Sequence, residues 1–256
     1  MSEYEALWSL FSPILKIHNQ SKGAVGRPRR NDRPIFEGIM WLTRAGARWQ
    51  DLPPEFGSHQ TAHRRYQEWI DAGLIDLLSK STMALAVSRG VIDTKEAFID
   101  ATFVPAKKGD VIGLTKKGKG NKIMAICDAN GLLIALSPGS ASPHESSLVD
   151  TTIDACPLNE IPTTIIGDKA YDSDELDSSL LKKGIRHIAP NKYNRIRNHE
   201  DGRSLRRYRR RWKIERRFAW LQSYRKVSTR YEIKFCNWVG YILLAASNLM
   251  SSRIMR

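Results

Sequence analysis

Apolar residues recur at helical spacing from the start of the chain: Leu7, Leu10, Phe11, Ile14 and Leu15 fall on one side of a helix over residues 3–17. A polar, basic bridge follows over 19–34, and its glycines and prolines stop that helix. A second helix fits 35–45 and breaks at Gly46. Ser58 is placed to start a third that runs to Trp69, and a fourth covers 74–89. Short helices joined by tight turns, with His59, His63, Arg64 and Arg65 near a helix start, suit a helix-turn-helix-like module. A helical cap or dimerisation unit suits the same pattern equally well.

Beyond residue 91 the period of the pattern changes from helical to alternating. Residues 95–103 alternate as a strand, with Phe98, Asp100 and Thr102 on one face. A Lys/Gly-rich stretch leads to an apolar run at 123–127, the turn Asp128-Ala-Asn-Gly131 and a second run at 132–136, which together predict a β-hairpin. Ser142 and Glu145 have capping-box spacing and open a helix to about Cys156. Residues 163–166 form a short strand ending at Gly167-Asp168. A helix over 173–183 is closed by Gly184, and 186–189 make another strand. A basic helix and an apolar helix end the chain. This order predicts an α/β, ribonuclease H-like mixed sheet with flanking helices, preceded by a small all-α domain. The change of pattern places the boundary between residues 1–90 and 91–256.

Charge sharpens the picture. The formal net charge is +14, with twelve bases against nine acids in residues 1–90 and 29 against 18 beyond. Residues 203–230 alone carry twelve bases and one acid, Glu215, which favours a polyanionic partner. Tyr208, Trp212, Phe218 and Trp220 are interleaved with those bases, so the segment has a face to bury and is expected to fold. The three cysteines are isolated and fit a reducing compartment. The apolar window at 235–250 includes Asn237, Ser247 and Asn248, is short for a bilayer span, and reads as a buried helix. A soluble cytoplasmic protein with no membrane partner is expected.

Three carboxylates carry the chemistry. Asp100 lies inside an apolar strand, where a charge is costly unless a partner or a metal relieves it. Asp168 closes a second apolar strand, a position that a turn or cap residue also takes. On a helix, Glu215 shares a face with Tyr208, Arg211 and Gln222, beside an apolar stripe of Ile214, Phe218 and Leu221; simple pairing with Arg211 would also explain it. Asp128 and Asp172 are competing acids, one suited to the hairpin turn and the other to a helix cap. Carboxylates beside a phosphate-binding surface can hold divalent cations that activate a water and stabilise the leaving oxygen at a phosphodiester. The combination points to an enzyme that cuts and joins DNA strands.

The segments FIDAT, IIGDKAYDS and YRRRWKIERRFAW resemble the three motif regions of DDE transposases of bacterial insertion sequences, the insertion sequence 5 family in particular. The stretch from GRPRR through WQDLPPEFGSHQTAHRRYQEW is similar to the helical domain those transposases carry ahead of the catalytic core. The resemblance implies two Mg²⁺ ions on Asp100, Asp168 and Glu215, with Mn²⁺ able to substitute. It also implies recognition of terminal inverted repeats, target double-stranded DNA, and a homodimer or higher oligomer on DNA. Tyr208, Arg211 and Glu215 match the spacing of the family signature, but its final Lys falls at Gln222, with Lys226 one turn on as a substitute. Arg207, Arg210, Arg211 and Arg217 are candidate phosphate contacts, joined by Arg64 and Arg65, and by Arg27 in a minor-groove arm. Two rivals share these features: a DNA-binding regulator that does not cut, and a structure-selective nuclease that does not join.

Overall fold

The computed structural model describes residues 4–20, 29–158, 161–193 and 206–254. It divides into two compact units: Met1–Arg89 with Lys108–Asp110 and Leu221–Arg256, and Gly90–Lys107 with Val111–Trp220.

The first unit is helical, built from α1 (Glu5–Gln20), α2 (Asp32–Ala45), α3 (His59–Asp71) and α4 (Leu74–Ser88), with the C-terminal α8 (Arg225–Ser228) and α9 (Phe235–Ile254). The Asn31 side chain caps α2 by accepting from the Arg33 N–H, and Gly46 ends that helix at φ 72°. Ser58 stands at the start of α3, but its side chain makes no capping bond. Leu7, Phe11 and Leu15 are buried as the helical spacing requires, and Phe11 meets Trp69 edge-on at 5.1 Å. Tyr66 stacks on Tyr241 at 4.7 Å and donates to the Asn237 carbonyl at 2.6 Å. That approach needs Gly240, where a Cβ would lie 2.7 Å from the Tyr66 hydroxyl. The apolar α9 is thus a core helix, and among the described residues no helix is long and apolar enough to cross a membrane. A division at residue 90 follows the change in local pattern, whereas packing groups α9 with α1, α2 and α4.

The second unit holds β1 (Ala97–Pro105), β2 (Gly113–Thr115), β3 (Gly118–Asp128), β4 (Leu133–Ser140), β5 (Thr164–Ile166) and β6 (Arg186–Ile188), with α5 (Val149–Asp154), α6 (Asp174–Lys182) and α7 (Trp212–Gln222). The sheet runs β2-β3-β1-β5-β6, and β4 also pairs with β3. β1 and β3 are antiparallel along their whole length, while β5 lies parallel to both β1 and β6. The hairpin of β3 and β4 is longer than the apolar runs suggested, because its outer half carries Lys, Gly, Ser and Pro. β2 was not foreseen for the same reason. Asp128 belongs to the hairpin: fully buried, it accepts from the Asp93 and Leu132 N–H groups at 2.8 and 2.6 Å.

Two expected caps are not made. The Ser142 hydroxyl accepts from the Leu114 N–H, and His144 caps a 3₁₀ turn, Glu145–Leu148, that precedes α5. Asp172 accepts from the Lys192 N–H at 2.7 Å, and Ser173 caps α6 instead.

Candidate active site

Strand pairing sets the first two acids side by side. In the parallel pair, Ala97 faces Ile165 and Phe98 faces Ile166. Continuing that register by two residues puts Asp100 level with Asp168. Asp168 is held where β5 turns away: its carboxylate accepts from the Ala170 N–H at 2.7 Å and caps the turn Lys169–Tyr171. Gly167 is needed there, since a Cβ would lie 2.8 Å from the buried Tyr171 ring. Glu215 comes from α7, whose apolar stripe Ile214, Phe218 and Leu221 is buried as expected. The Lys213 ammonium adds a hydrogen bond to the Ala129 carbonyl and lies 5.8 Å from the Phe98 ring centre.

One guanidinium joins the three acids. Arg211 Nη1 lies 3.2 Å from Asp100 Oδ2 and 3.7 Å from Asp168 Oδ2, and Nη2 lies 2.6 Å from Glu215 Oε1. The surroundings differ sharply. Asp100 is 15% exposed, Asp168 32% and Glu215 53%. Burial pushes Asp100 up to about 6, against the Ala101 N–H and Arg211, which favour its charged form; the neighbouring Asp168 and Glu145 push the same way as burial. Among the described residues no three of His, Cys, Asp and Glu gather closely enough to hold a metal ion. The guanidinium stands among the carboxylates instead. The donor set still suits a hard divalent cation, because all three acids offer only carboxylate oxygen and already converge on one positive charge.

Glu145 is a fourth acid of this neighbourhood. Its charge is felt at Asp100 and at the buried Tyr171 hydroxyl, whose pKa burial pushes far above the usual range. Lys122 offsets it at 3.6 Å. Capping-box spacing assigned Glu145 a capping role, with an approach to the active site as the lower-ranked alternative, and the fold brings it near Asp100. Glu96 was unmarked in sequence: it is buried and pairs with Arg210 at 2.7 Å and Arg207 at 3.9 Å.

The basic residues divide into two groups. Arg207 and Arg210 remain about half exposed despite Glu96, Arg64 is exposed, and Tyr208 and Gln222 are half-buried. The Tyr208 ring lies 5.6 Å from the Arg211 guanidinium. Arg65, Arg217 and Lys226 do not offer a free charge to a phosphate. Arg65 is buried against Asp32 and Glu68, both at 3.2 Å. Arg217 is 2% exposed and packs over Trp220. Lys226 is buried with Glu232 at 3.3 Å. It also does not extend the Glu215 face, since α7 ends at Gln222 and Lys226 lies on the separate α8. Arg27 lies outside the described residues.

Comparison with known proteins agrees with this geometry. A family profile described as "Putative transposase of IS4/5 family" matches residues 4–78, and one described as "Transposase DDE domain" matches 93–249. The "Uncharacterized protein y4sN" of Sinorhizobium fredii is 37% identical over 86 residues, which are 34% of this chain and 63% of that protein. The "Insertion element IS402 uncharacterized 16.2 kDa protein" of Burkholderia cepacia is 31% identical over 105 residues, 40% of this chain and 71% of that protein. Among solved structures, the piggyBac transposase in a synaptic complex with hairpin DNA aligns with 96% of this chain and 71% of its own, at a TM-score of 0.57 and 11% identity. That likeness is one of fold, the ribonuclease H-like mixed sheet with flanking helices and an all-helical N-terminal region. The transposase profile spans more than half of the sequence and contains Asp100, Asp168 and Glu215, so the chain belongs to the family of transposases with a DDE domain.

Proposed function

We propose that the protein is a transposase that binds the terminal inverted repeats of its insertion sequence, cuts the DNA there and joins the freed end to target DNA. The observation that carries this reading is the convergence of Asp100, Asp168 and Glu215, from two neighbouring strands and a basic helix, on one cationic group. Family membership implies dependence on a divalent metal. We assign two Mg²⁺ ions to the three carboxylates, replaceable by Mn²⁺; when bound, they supply charge for activating a water and stabilising a leaving oxygen.

The side chains then divide the work. Of the three acids Asp100 is the most buried and Glu215 the most exposed, so the site is open on the side of α7. Phosphate oxygens entering there meet Arg207 and Arg210, whose pairs with Glu96 leave donors facing solvent. Arg211 exchanges its carboxylate partners for a phosphate, which frees the acids for the cations. In cleavage, a water oxygen bonds to phosphorus, the bond to the 3′ oxygen breaks, and that oxygen leaves protonated. In joining, the 3′-OH gives up its proton and bonds to a target phosphorus. The bond from that phosphorus to the target strand's 3′ oxygen breaks, and that oxygen leaves protonated. One ester replaces another, so no outside energy is needed. Positioning and fixed charge provide most of the acceleration. Two ends must be brought together, which requires at least a dimer on DNA.

A plasmid carrying the gene with its own flanking DNA, incubated with the protein in Mg²⁺, is expected to acquire 3′ ends at both flanks and joined products. Glu215→Gln is expected to give neither. Cutting without joined products would identify a nuclease, and flank binding without cutting in Mg²⁺ or Mn²⁺ would identify a DNA-binding regulator.

A further inference from the structure

The β2–β3 hairpin carries charge that the site described above does not use. Thr115 pairs with Gly118, so Lys116 and Lys117 form the two-residue tip of a tight hairpin, and Lys119 follows on β3 opposite Leu114. All three lysines are exposed, and none pairs with a described carboxylate. No acid occurs from Gly113 to Lys122. The tip is locally ordered: the Thr115 hydroxyl accepts from the Lys117 N–H and donates to the Gly118 carbonyl, both at 3.1 Å, and Gly118 takes φ 101°.

Its base is anchored as firmly. The buried Asn121 amide donates to the Val111 and Gly139 carbonyls at 2.7 and 3.0 Å. Gly113 and Gly120 allow close backbone contact, where a Cβ would lie 2.3 Å from Ser142 N and 2.4 Å from the Val104 carbonyl. Three lysines are therefore presented on a stiff arm, unlike the charges of a loose tail. The arm has a defined relation to the acids. Asp100 pairs with Ala125, and Lys119 precedes Ala125 by six residues on β3, which is about 20 Å along the strand. That length matches about six base pairs of duplex at the rise of one strand.

We propose that Lys116, Lys117 and Lys119 are a second DNA-backbone contact, gripping phosphates about six base pairs from the one being cut. The inference rests on the DNA-cutting reading. Its rival is protection of a short edge strand, since lysines also keep sheet edges from pairing with other chains.

The test compares the full-length protein with a triple variant, Lys116→Gln, Lys117→Gln and Lys119→Gln, after thermal melting shows both folded. Binding to a fluorescein-labelled duplex from the DNA flanking the gene is followed by anisotropy over KCl from about 50 to about 300 mM. Each lost phosphate contact lowers the slope of log K against log salt by about 0.9, so the triple variant is expected to lose about 2.7. The triple Lys→Arg variant keeps the wild-type slope. Ethylation interference in the Gln variant is expected to fade at phosphates about six base pairs from the cut. An unchanged slope overturns the proposal, and an unchanged slope with new aggregation assigns the lysines to edge protection. Wild-type protein that binds neither the flanking duplex nor a shuffled one overturns the DNA-cutting reading itself.

Discussion

Replacing Asp100 with Asn is expected to lower end cleavage by about 10²- to 10³-fold, the order found when a group that stabilises transition-state charge is removed. The same variant is expected to be more stable than wild type. Asp100 is 15% exposed and burial holds it at about 6, above its ordinary value, so its charged form is the costly one in the fold. A carboxyl raised in this way adds no cost below about pH 3, where it is protonated in both states. The cost grows between its ordinary value and about 6, and is fully present above that. Two pKa units correspond to about 3 kcal/mol, and Asn is expected to recover about 2 kcal/mol of it at pH 8 because part of the favourable Arg211 contact is lost as well. In EDTA, melting of the two proteins should differ by several degrees at about pH 8 and coincide near about pH 3. An Asn variant less stable at pH 8 would show that Arg211 more than repays the burial of Asp100.

The second large effect is expected away from the acids. Arg230 lies at the end of the basic run, yet it is completely buried in the helical unit. Its guanidinium donates to the Asp110 carbonyl and carboxylate, both at 2.6 Å, and to the Ile233 and Glu232 carbonyls at 2.9 and 3.0 Å. It also packs over Phe235 and Trp238. Gly109 lets the Lys108–Asp110 segment come this close, since a Cβ there would lie 2.4 Å from the Ile233 carbonyl. Arg230→Met leaves those acceptors without their donor and is expected to cost about 3–5 kcal/mol, the range for breaking a buried charged network. Thermal melting should fall by about 10 °C. Arg230→Lys is expected to fall between the two, because one ammonium cannot reach all four acceptors. A melting point unchanged in the Met variant would mean that the network adds nothing to stability.

Arg230 also shows why charge alone was an incomplete guide. Counting bases in 203–230 treated Arg211, Arg217, Lys226 and Arg230 alike, but Arg217 and Lys226 are buried, and Arg211 and Arg230 pair with Asp100 and Asp110, which lie far away in sequence. Such partners leave no local trace. Periodicity did mark what depends on near neighbours: the buried stripe of α7, the apolar faces of α1 and α2, and the strands that hold Asp100 and Asp168. It failed where local pattern and fold part company. β2 and the outer half of the long hairpin are polar, so alternation did not reveal them. The Ser142 and Glu145 spacing promised a cap, while strand pairing sent Ser142 to Leu114 and set Glu145 near Asp100. The three acids could be picked out by their unlike surroundings. Their meeting at Arg211 needed the parallel register of β1 with β5 and the placement of α7.

Titration of the metal-free protein with Mn²⁺, followed by electron paramagnetic resonance in the absence of DNA, tests whether these acids together bind divalent cations. Wild type is expected to bind weakly because Arg211 competes for the carboxylates. Arg211→Gln should bind about tenfold more tightly, a gain of about 1.4 kcal/mol, and Asp168→Asn should lose the site. Equal Mn²⁺ binding by wild type and Asp168→Asn would contradict a metal site at these carboxylates.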